Sequence, residues 1–243
     1  MKGETRRKIA AFVEAMPFLH KRPRIGAPKL VGHSAWADYL AQEFNRPGMK
    51  VLEVGSRVVT GANHRHRFSE ADYTGFDFYP GENVDVVGDA HQLSSHFPEG
   101  QTFDLIFASA VFEHLHMPWI VAEEITRLLK VGGHVFVETH FSYIAHERPW
   151  NFFQFSDMGL RALFNDGLGY DVVDSGLSNP IAGFFTQHAD RYLRHRPITE
   201  LYCHSEILVR KRENVTGFDW RSVAVDRVVD GTRYPPPVAP DKA

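Results

Sequence analysis

The run FDLIFAS at residues 103–109 is apolar everywhere except Asp104 and Ser109. A strand with one wet face alternates apolar and polar residues. A run without that alternation belongs to a strand buried on both faces, which is the habit of parallel sheets. Other β-rich runs flank it: Lys50–Val54, Tyr73–Phe78, Val84–Val87, Val135–Thr139, Tyr170–Ser175 and Glu206–Arg210. Each is rich in β-branched or aromatic residues and bounded by turn formers, so each reads as a strand.

Helix-length segments stand around these strands. Ile9, Phe12, Val13 and Met16 share one apolar stripe. Ser34 is expected to cap a second helix that turns Trp36, Tyr39, Leu40 and Phe44 inward before Pro47-Gly48. Val111–Lys130 reads as a helix with Val121, Ile125, Leu128 and Leu129 on one face, ended by Gly132-Gly133. Ser156 caps a helix whose inner residues are Leu160, Leu163 and Phe164. Strands alternating with helices predict an α/β fold: a Rossmann-like, seven-stranded, mostly parallel sheet with helices on both faces and an N-terminal helical addition. The expected divisions are a helical cap over 1–47, a main domain over 48–212 and a tail over 213–243 that carries the extended run YPPPVAP. Within the main domain, 176–202 reads as an insertion that serves as a lid, a homodimer contact or a packed helical excursion.

Composition narrows the partners. With 27 basic and 30 acidic residues, the charge is too balanced for nucleic acid to be the main partner. Cys203 is the one cysteine, which excludes an internal disulfide and points to a reducing compartment. The apolar run after Arg6-Arg7-Lys8 ends at Glu14, too short for a signal peptide, and no stretch approaches a membrane span. The expected location is cytoplasmic, with no membrane partner.

In an open α/β sheet, ligands sit beyond the carboxyl ends of the strands, where the strand order reverses. The residues that follow the strands here are Glu53-Val54-Gly55-Ser56, Gly75-Phe76-Asp77-Phe78, Gly88-Asp89-Ala90 and Ala108-Ser109-Ala110. Gly55 lets backbone approach a ligand, Asp77 can accept from ribose hydroxyls and Asp89 from an exocyclic amine, while Glu53 can orient the loop. Taken singly, Gly55 could be an ordinary turn and Asp77 a strand-end cap.

The series LEVGS, GFD, GDAHQL, FDLIFASAVFEHL and LLKVGG resembles class I S-adenosylmethionine-dependent methyltransferases over roughly residues 48 to 212. The resemblance implies S-adenosyl-L-methionine as cofactor. It places Asp77 and Phe78 at the ribose, Asp89 and Ala90 at adenine, and Gly55 and Ser56 at the methionine end. Glu53, Arg57, Ser109 and Ala110 complete the implied cofactor set. The family's acidic-x-Gly-x-Gly-x-Gly loop is met only at Glu53 and Gly55, with Arg57 and Val59 replacing the later glycines. Ala62–Phe68 lacks helical periodicity, so the usual first helix is expected to be short or replaced by a loop. Those losses weigh more against a nicotinamide dinucleotide, whose pyrophosphate needs G-x-G-x-x-G.

The acceptor end is expected after the fifth strand, in THFSYIAHERPWNFFQF (139–155), where aromatic rings accompany two histidines. This stretch is similar to a segment of methyltransferases that tailor glycans and small molecules. His140 and His146 read as candidate bases for a hydroxyl acceptor, or as a strand-end and a loop-stabilising histidine. Glu113-His114 match the family's EH pair, which leaves His114 either near the transferred methyl or merely opening a helix. Fourteen histidines raise the question of a metal. The pairs His64/His66 and His114/His116 have spacing that shares a face only in a strand, and no nearby Cys or clustered carboxylate completes a site of known spacing, so no metal is expected. The reading is methyl transfer to a small-molecule or glycan hydroxyl, against the alternatives of a non-catalytic scaffold and an NAD-dependent enzyme.

Overall fold

The computed structural model describes residues 24–59 and 61–229, with residues 5, 7, 12, 13 and 16 besides. Thr60, the tail YPPPVAP and Ile9 of the N-terminal stripe lie outside the described residues; Phe12 and Val13 of that stripe are exposed. Helix α1 spans Trp36–Phe44, α2 Pro118–Leu128 and α3 Asp157–Leu163. The strands are β1 Lys50–Val54, β2 Asp72–Asp77, β3 Val86–Val87, β4 Phe103–Ser109, β5 Leu129–His140, β6 Tyr170–Phe184 and β7 Pro197–Lys211. They form one sheet in the order β3-β2-β1-β4-β5-β7-β6. The pairs from β3 to β5 are parallel, and β7 enters antiparallel between β5 and β6.

Strand alternation sends side chains to two cores. Leu52, Val54, Ile106, Ala108, Val135, Val137, Ile207 and Val209 pack with Val121, Ile125 and Leu128 of α2 and Leu160 and Leu163 of α3. Their neighbours Val51, Leu105, Phe107, Phe136 and Leu208 face α1 through Trp36, Leu40 and Phe44. Among the described residues, that second face carries between β1 and β2 only a 3-10 turn at Arg65–Phe68 in place of a full helix. Large rings fill the space instead: Trp36 lies 4.9 Å from the Phe136 ring and 5.9 Å from Phe107, and Phe68 lies 5.6 Å from Phe107.

Several local expectations shift. Ala35, not Ser34, precedes α1, and no side chain caps that helix. The stretch expected as one helix from Val111 breaks into a 3-10 turn, Phe112–His114, and then α2, where Pro118 opens the first turn. Gly132-Gly133 do not terminate a helix; they lie inside β5, where Gly132 takes φ +87°. Beyond α2, the buried Lys211 side chain donates to the carbonyls of Thr126 (2.6 Å) and Leu129 (2.8 Å), taking the place of a C-cap. Ser156 does cap α3, its hydroxyl accepting from Gly159 N at 3.0 Å. Residues 176–202 contain no helix: they are the outer half of the β6–β7 hairpin and its loop. Among the described residues, no helix is long and apolar enough to cross a membrane.

Candidate active site

Strand order reverses between β1 and β4, which pair through Val54 and Ala108 at their carboxyl ends. A crevice is expected there. Gly55 leaves β1 with φ +83°, and a Cβ on it would lie 2.2 Å from Val111 Cγ2. Glycine is therefore required twice, by the left-handed backbone and by the close approach of the segment after β4. Gly55 and Ser56 both donate backbone N–H to Phe76 O, at 2.8 and 3.0 Å, and Ser56 Oγ donates to Asn83 O at 2.9 Å. Glu53 is buried and accepts from the Tyr73 hydroxyl and from Asn83 Nδ2 (3.4 Å). Burial pushes its carboxyl up to about 7, partly offset by those two bonds.

Arg57 folds back onto Asp77. Its Nε lies 3.3 Å from Oδ1 and its backbone N donates to Oδ2 at 3.3 Å, while Tyr79 N donates to Oδ1 at 2.9 Å. The guanidinium also stands 5.7 Å over the Tyr79 ring. Phe78 is exposed and meets Tyr79 edge to face. Asp89 caps the 3-10 segment Ala90–His96, with Oδ1 accepting from His91 N (2.9 Å) and facing His91 Nδ1 (2.7 Å). Burial works against its charged form, but those contacts hold the carboxyl below its ordinary value. Ala90 is buried beside it.

At the other end, Ser109 Oγ donates to Glu138 Oε1 at 3.0 Å, and Ala110, at φ +54°, donates its N–H to Glu138 O. Glu113 is wholly buried. Its Oε2 accepts from Thr139 Oγ1 at 2.6 Å, and Oε1 stands 2.8 Å from His140 Nδ1. Burial pushes Glu113 up, and the contacts with His140 and Thr139 more than reverse this, holding it ionised. His140 stacks on Tyr143 with ring centres 4.3 Å apart. His146 sits 5.2 Å from His140 and 5.0 Å from His114, edge-on to both. His116 points elsewhere, against His91 at 4.2 Å. Tyr143, Trp150 and Phe152 stand exposed beside this group.

A second polar layer lies on the α1 side. Glu138 and Glu206 pair across β5 and β7, both buried. Glu138 Oε2 meets His33 Nδ1 at 2.8 Å, and Glu206 takes bonds from His33 N (3.1 Å) and Ser178 Oγ. The Glu138 contact raises His33, against a smaller opposing effect of burial. Burial, with Glu138 beside it, pushes Glu206 up to about 7. His33 stacks on His204 at 3.9 Å, and His204 lies 5.7 Å from His140. A chain of imidazoles thus runs past the carboxyl end of β5, where β7 crosses it antiparallel. Cys203 lies within β7, half-buried, and burial pushes its thiol up.

The sequence matches the family described as a methyltransferase domain over residues 29–175, more than half of the chain. The chain belongs to that family. With the strand order above, it is an S-adenosylmethionine-dependent methyltransferase of class I. The antiparallel β7 also departs from the all-parallel dinucleotide fold. Solved structures share the fold at low identity. The 1,6-didemethyltoxoflavin-N1-methyltransferase of Burkholderia thailandensis, with its substrate and S-adenosylhomocysteine bound, is 15% identical, covering 73% of this chain and 76% of its own at TM-score 0.51. YcgJ from Bacillus subtilis is 18% identical, over 73% and 98%, at TM-score 0.50. TehB from Haemophilus influenzae is 16% identical, over 72% and 66%, at TM-score 0.44. No curated protein matches the sequence.

The methyltransferase gathers its expected residues in two groups. Glu53, Gly55, Ser56, Arg57, Asp77 and Phe78 cluster at β1 and β2, and Glu113, His114, His140 and His146 cluster beyond β4 and β5. Sequence reasoning passed over His33, Glu138, His204 and Glu206. The available signal was a Glu in each of two otherwise apolar strands, VFVET and EILVR.

Proposed function

We propose that this methyltransferase transfers a methyl group to a hydroxyl of a small-molecule or glycan acceptor, with His140 as the base. The observation that carries the reading is the buried Glu113 carboxylate 2.8 Å from His140 Nδ1, at the carboxyl end of β5. A fixed, ionised carboxylate orients an imidazole and stabilises its protonated form. An acceptor O–H held by His140 gives its proton to the ring as its oxygen takes the methyl group. The exposed rings of Tyr143, Trp150 and Phe152 supply a wall for a sugar or aromatic acceptor. His146 is the alternative base and, unlike His140, is not held by Glu113.

S-adenosylmethionine supplies a methyl group on a sulfonium. The cradle suits it: Gly55 leaves no room for a side chain, and Asp77 and Asp89 follow adjacent strands. Glu53, Ser56 and Arg57 would shape the methionine end, Asp77 and Phe78 the ribose, Asp89 and Ala90 the adenine, and Ser109 and Ala110 the opposite wall. Arg57 holds Asp77 here, so a ribose diol must share that carboxylate or displace the guanidinium. The β6–β7 loop, 185–196, is assigned as a lid over the acceptor or a dimer contact; we assign the chain to the cytoplasm, without nucleic-acid or membrane partners. Calorimetry with S-adenosylhomocysteine tests the cofactor site, and His140→Ala with the true acceptor tests the base. Unchanged turnover in that variant removes His140 from the chemistry.

A further inference from the structure

We infer that Glu113, His114 and His146 form a binding site for a divalent first-row transition cation at the acceptor end of the crevice. One ligand atom from each lies within 4.8 Å of the others. His114 Nε2 stands 3.9 Å from Glu113 Oε1 and 3.6 Å from Glu147 Oε2, so a second carboxylate borders the same space.

The surroundings prepare these groups as ligands. A metal-bound histidine needs one ring nitrogen with a free lone pair, and its other N–H is usually held by a carbonyl or carboxylate. Both histidines meet this condition. His114 Nδ1 donates to Trp150 O at 2.9 Å, and His146 Nδ1 donates to Ile144 O at 2.9 Å. A carbonyl can only accept, so each Nε2 is left unprotonated in the neutral ring. Glu113 is oriented too, since Oε2 is occupied by Thr139. Its buried Oε1 stands 3.9 Å from His114 Nε2 and 2.8 Å from His140 Nδ1. A buried carboxylate oxygen beside two lone-pair nitrogens offers three ligand atoms to one cation.

Two imidazoles and one carboxylate favour Zn²⁺, Co²⁺, Fe²⁺ or Mn²⁺ over Mg²⁺ or Ca²⁺, which prefer oxygen ligands. Bonds of about 2.0–2.1 Å place tetrahedral ligands about 3.3 Å apart, so the three groups must close by roughly an ångström as the ion enters. His146 lies in the loop after β5 and Glu113 is fixed in the core, so the loop supplies that movement. Three protein ligands leave a position for the acceptor oxygen, whose proton would then leave more easily toward His140. That catalytic use rests on the proposed function; ion binding does not.

The test is titration of the untagged, metal-stripped protein with Zn²⁺, and with Co²⁺ followed by its visible spectrum. The site predicts one tight equivalent, the absorption of a low-coordinate cobalt with nitrogen ligands, and at least tenfold weaker binding by His146→Ala and His114→Ala. His146 is partly exposed, so its variant keeps the fold even where Glu113→Gln does not; circular dichroism verifies this. Absence of a stoichiometric site, or unchanged affinity in His146→Ala, overturns the inference. S-adenosylhomocysteine calorimetry on the same samples separates the two readings: cofactor binding without ion binding removes the metal site and leaves the methyltransferase reading intact.

Discussion

Arg57 and Asp77 hold each other where the proposed site expects a ribose. Asp77 is the better covered partner, its side chain 14% exposed against 35% for Arg57, so the arginine is the one free to swing. Asp77→Ala should weaken S-adenosylhomocysteine binding at least tenfold, about 1.4 kcal/mol. Arg57→Ala should bind at least as tightly as the native protein. Calorimetry reads both, and a large loss in Arg57→Ala would assign the guanidinium to the cofactor itself. Glu206 makes a separate prediction. Its folded carboxyl is raised to about 7 from an ordinary 4.5. Its stabilising protonation is fully present below pH 4.5. Between 4.5 and 7 the unfolded chain gives up that proton first, so stability falls as pH rises, and above 7 the cost is constant. Glu206→Gln should flatten this decline by on the order of 2 kcal/mol, read from denaturation midpoints between pH 4.5 and 8.

The elements are held by contacts that join distant parts of the chain. Lys211 of β7 satisfies two carbonyls at the end of α2, and it is buried, with its ammonium lowered by desolvation. Lys211→Met keeps the apolar stem but orphans both carbonyls. It should lower stability by about 2–3 kcal/mol in urea, with activity per folded molecule retained. The β6–β7 hairpin poses a functional question at this scale. Phe184 and Pro197 are register partners, so a two-residue Asn-Gly turn can replace 185–196. If the loop is a lid, the shortened enzyme should show a raised acceptor KM and an unchanged cofactor Kd. Equal KM values would leave the loop to dimer contact alone.

For the whole molecule, the sheet decides what meets what. β1 and β4 lie centrally and β7 slots between β5 and β6, so residues far apart in sequence share one edge. His33, His204, His140, His146 and His114 form a continuous row there, backed by Glu138, Glu206 and Glu113. S-adenosylhomocysteine at about a hundred times its Kd should add about 2.7 kcal/mol to the stability of the folded chain, visible as a rise in Tm.

The seven strand positions were legible in the sequence because each is a local property, and the candidate cofactor residues were chosen on the same local ground. FDLIFAS announces a two-faced burial, and Gly55 and Asp77 sit at fixed offsets from strand ends. Strand lengths were less legible: Gly132-Gly133 read as a helix stop, but the pairing of β5 with β4 carries the strand through them. The missing helix after β1 could be read as lost periodicity. That Trp36, Phe107, Phe136 and Phe68 would fill its place could not, because ring packing depends on which faces meet. The histidines show the same division. In sequence, the i, i+2 histidine pairs argued against a metal, whereas a turn after β4 and a loop after β5 bring His114 and His146 together around Glu113. The sequence alone determined the α/β fold and the methyltransferase class, since periodicity and short motifs are written along the chain. Only the tertiary structure decided the Arg57–Asp77 pair, the oriented His140 and the Glu-His-His cluster, because each depends on strands that neighbour in space and not in sequence.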